Sequence, residues 1–225
     1  MKNLFIVISL GGLLACQGQE PKHRKEHAPG TANEYMHQSS VNDLASRFES
    51  PERDAYQKPE KVLSYLGNIS GKKIMDIGSG SGYFSVKMAK KGARVIAADV
   101  NDEFQALIKE RIEGEKIENL TTRKIPYDSP GLEDNEVDMV LMVNTYHHIE
   151  NRPEYFAKVK NGLKSRGELV IIDFFDAEIP VGPRHHKIPI DTVISELKKA
   201  GYTHFQVEVN LLPYQYIIRC KMGLQ

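Results

Sequence analysis

Thirty Lys and Arg side chains balance thirty Asp and Glu in 225 residues. The chain therefore lacks the basic excess of a protein that works through phosphate contacts, which argues against nucleic acid as a partner. This length holds one α/β domain with a substantial core and little else.

The N-terminus opens with Met1-Lys2-Asn3, continues in the apolar run Leu4–Leu14 and closes on Leu13-Leu14-Ala15-Cys16. As a helix, residues 4–15 would span roughly 18 Å, well short of the ~30 Å hydrocarbon core. Residues 1–15 are therefore read as an export signal rather than a membrane span. A cysteine at that boundary resembles the lipobox of bacterial lipoproteins. The resemblance implies cleavage before Cys16 and acylation of that residue, with more than one chain needed for stable anchoring. Gln17 after the cysteine leans, by the same analogy, towards an outer membrane. With Cys16 acylated, Cys220 has no disulfide partner and reads as a small buried hydrophobe.

Residues 16–40 are polar, carry no hydrophobic period and read as a tether. Its basic patch Lys22-His23-Arg24-Lys25 is taken as solvated, although anionic headgroups would attract it. Residues 41–58 mix scattered Leu44, Phe48 and Tyr56 with Pro51-Glu52-Arg53-Asp54. Short helical turns capping a pocket are expected there, with Tyr35, Tyr56 and Lys58 as surface residues within reach of a ligand. The remaining residues, 59–225, form the main domain.

Pro59 opens a helix with Val62, Leu63 and Leu66 on one face, ended by Gly67. Lys73–Ile77 is a strand that runs into Gly78-Ser79-Gly80-Ser81-Gly82. Phe84 and Met88 mark the next helix, closed by Gly92, and Arg94–Ala98 the second strand, ended by Asp99. Asn101 caps a third helix with Phe104, Leu107, Ile108 and Ile112 inward. Leu120–Ile125 is a third strand near the sheet edge. Val137–Val143 is unbroken apolar, as in a parallel strand covered on both faces. Asn151 and Pro153 start a helix, and the turn Lys164-Ser165-Arg166-Gly167 delivers strand Glu168–Phe174. A proline-bounded loop with Arg184, His185 and His186 leads to a helix carrying Val193, Ile194 and Leu197. Thr203–Asn210 and Tyr214–Cys220 read as a closing hairpin.

The loop spacing discriminates between ligands. A dinucleotide fingerprint places its third glycine three positions after the second, where this chain has Tyr83. A carboxylate at Asp76 would repel phosphate and favour a ligand carrying ammonium or sulfonium charge. Asp76-Ile77-Gly78-Ser79-Gly80-Ser81-Gly82 resembles the first motif of class I S-adenosylmethionine-dependent methyltransferases. Asp99, the segment Asn144-Thr145-Tyr146-His147-His148 and the strand Leu169–Asp173 continue the resemblance, which covers roughly Tyr56 to Cys220.

The resemblance implies a Rossmann-like, mostly parallel seven-stranded sheet with helices on both faces and a C-terminal antiparallel hairpin. It implies S-adenosylmethionine as cofactor. Asp76, Gly78, Gly80, Gly82, Asp99 and Asn144 would line its site, with Asp76 acting on the ammonium side and Asp99 on the ribose hydroxyls. The adenine would lie near residues 125–128. His147 and His148 are the candidate catalytic bases, since histidine exchanges protons near neutrality. Tyr146, Asp173, His185 and His186 are candidate substrate residues. Because adjacent side chains diverge, one histidine of each pair is expected to face the pocket. No metal is expected: the two pairs lack the i, i+4 spacing of ligands on one helix and have no cysteine nearby.

The expected activity is methyl transfer to a small molecule by a monomer held at the membrane through its lipid. The alternative is a lipid-anchored envelope protein that binds a nucleoside-like ligand in the same pocket without catalysis. Export is in tension with a cofactor made in the cytoplasm. A nicotinamide-dependent oxidoreductase is disfavoured by Tyr83.

Overall fold

The computed structural model describes residues 40–221. The export signal, Cys16, most of the tether and Tyr35 lie outside the described residues. Three helices lead: α1 (Val41–Phe48), α2 (Pro51–Gln57) and α3 (Pro59–Leu66). Then β1 (Lys73–Ile77), α4 (Tyr83–Lys90), β2 (Arg94–Asp99), α5 (Asp102–Glu115) and β3 (Leu120–Lys124) follow in alternation. The second half contains β4 (Val137–Val143), α6 (Arg152–Gly162), β5 (Leu163–Phe174), α7 (Ile190–Lys199), β6 (His204–Glu208) and β7 (Gln215–Lys221).

The strands form one sheet in the order β3-β2-β1-β4-β5-β7-β6. All neighbours are parallel from β3 to β5, and β7 pairs antiparallel with both β5 and β6. This is the Rossmann-like architecture expected from the sequence. β1 and β4 sit side by side at the point where the chain reverses its direction of winding, so their carboxyl ends open a crevice.

Alternation along the strands divides the core between the two faces. Ile74, Val95, Met139 and Leu141 pack against α3 and α4 through Val62, Leu63, Leu66, Phe84 and Met88. Met75, Ile77, Ile96, Val140 and Met142 pack against α6 and α7 through Phe156, Val159, Val193 and Leu197. Each such fully buried side chain contributes roughly 1.5–3 kcal/mol relative to exposure. Cys220 is part of this second cluster, as a buried thiol whose pKa burial pushes up to about 12.

Two local readings need correction. Residues 164–167 form no separate turn before a strand. They bulge within β5, where Val137 pairs Leu163 but Met139 already pairs Glu168. Gly167 permits the tight loop, since a Cβ there would meet the Lys164 carbonyl oxygen at 2.9 Å. Asn151 precedes α6 in a left-handed conformation (φ 45°) and makes no side-chain cap, whereas Asn101 caps α5 by accepting from the Glu103 and Phe104 N–H groups.

α1 and α2 are fastened over the glycine loop by polar side chains. The Ser81 hydroxyl donates to Glu49 at 2.6 Å, and Arg111 donates both to Glu49 at 2.7 Å and to the Ser81 carbonyl at 2.9 Å. The Tyr83 hydroxyl donates to Asp54. Among the described residues no helix is long and apolar enough to cross a membrane.

Candidate active site

Beyond the carboxyl ends of β1, β2, β4 and β5, roofed by α1 and α2, lies a cavity of about 590 Å³. Its two ends are chemically distinct. At one are Gly78, Ser79, Gly80 and Asp99; at the other are His147, His148, His186 and Phe174.

The glycine end rests on backbone conformation. Gly78, Gly80 and Gly82 have φ of 73°, 51° and 81°, a region costly to residues with a Cβ. A Cβ on Gly78 would stand 2.3 Å from Thr145 Oγ1, and one on Gly80 3.1 Å from the Phe48 ring. Gly80 thus lets the loop pass under the roof, and Gly78 lets it pass Thr145 after β4. Asp99 accepts from the Gly80 N–H and the Asn101 N–H, both at 2.9 Å, which fixes its carboxylate on the cavity wall. Burial raises its pKa against the pull of those N–H groups. A carboxylate has about four acceptor sites, and the Val100 N–H takes a third, so Asp99 keeps capacity for a ligand hydrogen bond.

Asp76 sits lower than the sequence suggests. It is buried off the cavity wall, where its carboxylate accepts from the Ser85 hydroxyl at 2.6 Å. Burial raises its pKa to about 6, opposed by the Ser85 hydrogen bond and the Arg53 charge. Any effect on a ligand's ammonium comes from beneath the loop. Gly82 also lies off the wall; its missing Cβ makes room for Ile108, 3.2 Å away, where α4 packs on α5. Asn144 does reach the wall, but its amide closes a ring: Gln57 donates to Gln215, Gln215 to Asn144, and Asn144 to Gln57. That ring ties α2 to β4 and β7.

The histidine end is assembled by two short 3-10 turns, Tyr146–His148 and Arg184–His186. The first brings both His147 and His148 to the cavity, contrary to the expectation that neighbouring side chains diverge; from the second only His186 arrives. The His147 and His186 rings stack at 4.1 Å between centroids, and His148 lies 4.3 Å from His147. His147 Nδ1 is 2.9 and 3.0 Å from the two oxygens of Asp173. An ionised carboxylate only accepts, so Nδ1 carries the hydrogen and Nε2 keeps a lone pair. That Nε2 and the Nε2 of His186 are buried without hydrogen-bond partners among the described residues. Burial, and then the charges of His147 and His185, hold the His186 pKa down at about 3.

Three expected substrate residues do not reach the cavity. Asp173 is fully buried and acts through His147. Tyr146 turns into the core, stacks on Phe156 at 5.0 Å and donates its hydroxyl to Glu196 at 2.6 Å. His185 is exposed beside His186, off the wall.

Other wall residues carried little sequence signal. Arg53 lies over the Tyr83 ring at 4.2 Å, donates to the Phe48 carbonyl at 3.1 Å and keeps a buried Nε without a partner. Val41, Leu44, Phe48 and Phe104 form an apolar roof, and Tyr56 lines the wall while Lys58 does not. Tyr127 reaches the cavity from the segment after β3, whereas Ile125 is core. No sequence signal singled out Arg53: an arginine two residues after a proline is an ordinary helix-surface residue.

Known proteins match this arrangement. The methyltransferase-domain family matches residues 75–171, from β1 through most of β5. A structure described as a SAM-dependent methyltransferase from Aquifex aeolicus superposes with a TM-score of 0.73 at 24% identity, covering 82% of this chain and all of that one. Residues 75–171 thus match the methyltransferase-domain family, on a sheet that has the fold of the SAM-dependent methyltransferase structure. Among relatives, phosphoethanolamine N-methyltransferase 1 of Triticum aestivum is 29% identical over 167 residues, which is 69% of this chain and 33% of the relative. Demethylmenaquinone methyltransferase of Tropheryma whipplei is 25% identical over 158 residues, 64% of each chain. The chain thus spans from one third to just under two thirds of the length of these two relatives.

Proposed function

We propose that the protein transfers a methyl group from S-adenosylmethionine to a small-molecule acceptor bound at the histidine end of the cavity. The observation that carries this reading is one continuous cavity with a glycine cradle and Asp99 at one end and an oriented imidazole, His147 on Asp173, at the other. Bound in the cradle, S-adenosylmethionine supplies an electrophilic methyl carbon on a sulfonium and leaves as the neutral thioether S-adenosylhomocysteine.

The residues suit that ligand. Asp99 keeps acceptor capacity for a ribose hydroxyl, and Val100 and Tyr127 offer apolar surface beside it for the base. The unpartnered Nε of Arg53 and the buried Ser79 hydroxyl are donors for the methionine carboxylate. Asp76 holds compensating negative charge under the loop. Displacement at methyl carbon is in line, so the protein's main task is to hold the two reactants aligned and close. An oxygen, nitrogen or sulfur acceptor gives its lone pair to the methyl carbon and must shed its proton; the histidine end is where that proton is handled, with His147 as the catalytic residue and Asp173 holding its ring.

The test is transfer of labelled methyl from S-adenosylmethionine to fractions of a metabolite pool by the full-length protein. Labelled product together with S-adenosylhomocysteine supports the reading. Tight S-adenosylhomocysteine binding with no labelled product in any fraction favours a non-catalytic binding protein.

The N-terminal sequence supports placing this activity at the bacterial cell envelope, on a lipid attached to Cys16, with the outer membrane favoured by Gln17. The chain is proposed to act as a monomer. Cys16→Ser is expected to abolish acyl labelling and membrane fractionation; unchanged labelling contradicts the anchor. An exported enzyme then requires cofactor delivered from the cytoplasm.

A further inference from the structure

We propose that His147, His148 and His186 together hold one divalent first-row transition cation at the acceptor end of the cavity. This deepens the assignment of the histidine end to the acceptor and rests on it. One ligand nitrogen from each of the three rings lies within 4.8 Å of the others. A three-histidine zinc site needs nitrogens about 3.3 Å apart, from zinc–nitrogen bonds of about 2.0–2.1 Å. Binding an ion would therefore draw the nitrogens together by up to about 1.5 Å.

The spacing argument against a metal does not apply in this fold. It concerns ligands on one helix, whereas here the 3-10 turn after β4 meets the turn after β5. Three further features favour a cation. His147 has the arrangement of a metal-ligating histidine, with Nδ1–H given to a buried carboxylate so that ring and tautomer are fixed and Nε2 is left to coordinate. The Nε2 atoms of His147 and His186 are buried with no hydrogen-bond partner among the described residues, an unusual cost unless something fills the space between them. Finally, the His147 and His186 rings stack face to face at 4.1 Å between centroids, so two buried ring nitrogens share one small space. One cation would satisfy both nitrogens at once, with each ring in the tautomer that leaves Nε2 unprotonated.

Imidazole donors suit zinc, nickel, copper or iron rather than magnesium or calcium. Three protein ligands leave a position open, and all three histidines border the cavity. The acceptor class that fits is a compound presenting a hydroxyl or thiol. Coordination would acidify it, as zinc lowers the pKa of water from about 15.7 to about 7, so that its proton leaves to solvent water before the coordinated oxygen or sulfur attacks the methyl carbon. His147 would then activate the acceptor through the cation rather than by taking the proton on its own ring.

The experiment uses full-length protein stripped with chelator and titrated with Co²⁺, followed by its visible absorption, then with Zn²⁺ as competitor. The proposal expects one equivalent of Co²⁺ per chain, displaced by Zn²⁺. His147→Ala and His186→Ala each abolish uptake, His185→Ala retains it, and Asp173→Asn weakens it roughly 10–100-fold. Absence of stoichiometric uptake overturns the proposal, as does uptake that survives His186→Ala. Should His147→Ala misfold, His186→Ala decides, since its half-buried position on a loop turn spares the core. S-adenosylhomocysteine binding to the stripped protein is measured in parallel. Its loss counts against the donor site, and its retention without Co²⁺ uptake sinks the cation alone.

Discussion

The glycine end of the cavity draws its decisive groups from residues 76–101, one unbroken β-loop-α-β passage. The histidine end draws them from positions 147, 148, 173 and 186, carried by two 3-10 turns and a strand end. In the first, backbone conformation does the work and the wall carboxylate, Asp99, is fixed by N–H groups two and nineteen residues away. In the second, side chains meet across elements, and the geometry depends on one buried carboxylate. On the function proposed above, the contrast separates two tasks: a donor site built from local backbone, and an acceptor site built from side chains that meet across elements.

If that division is right, variants at the two ends fail in different ways. The largest effect is expected from His147→Ala: turnover falls about 10²–10⁴-fold, while stabilisation by S-adenosylhomocysteine is unchanged. Equal loss of cofactor binding would blur the two ends into one. Gly78→Ala attacks the other end. Its new Cβ must displace the β-branched Thr145 side chain from 2.3 Å and sit in left-handed backbone. Overpacking costs about 1–3 kcal/mol and the conformation roughly 1–2 kcal/mol more. Urea unfolding reads the sum, and an unchanged midpoint would show that the loop is looser than its geometry.

Much of the donor end is legible in sequence because local conformation is encoded locally: only glycine adopts φ of 73° and 51° cheaply, and Asp99 ends a strand that any periodicity reading finds. The fold is legible for the same reason, since apolar runs, caps and glycines mark its elements one at a time. The acceptor end is not. Tyr146 and Asp173 look like pocket residues because they close strands, yet one turns into the core and the other supports a histidine. His186 joins His147 only after the sheet has placed β4 beside β5. Arg53 enters the wall because α2 docks on Tyr83, a contact written in neither segment alone.

Asp76 gives a smaller and more diagnostic effect. Its pKa is raised from an ordinary carboxylate value of about 4 to about 6, so the folded state holds the proton more tightly than the unfolded chain. Between those values the native protein binds more protons, and stability therefore falls as pH rises through about 4 to 6. At roughly 1.36 kcal/mol per unit the loss is at most about 3 kcal/mol. Asp76→Asn keeps an acceptor for Ser85 and should flatten that slope in denaturant unfolding across pH. A slope that persists would move the responsible group elsewhere.

The most direct measurement is calorimetric titration of S-adenosylhomocysteine into the full-length protein and its Asp99→Ala variant, with NADH as the rival ligand. One site per chain, weakened about tenfold to a hundredfold in the variant by loss of hydrogen bonds to a charged group, is the predicted result. No binding of S-adenosylhomocysteine, or saturable binding of NADH in its place, would contradict it.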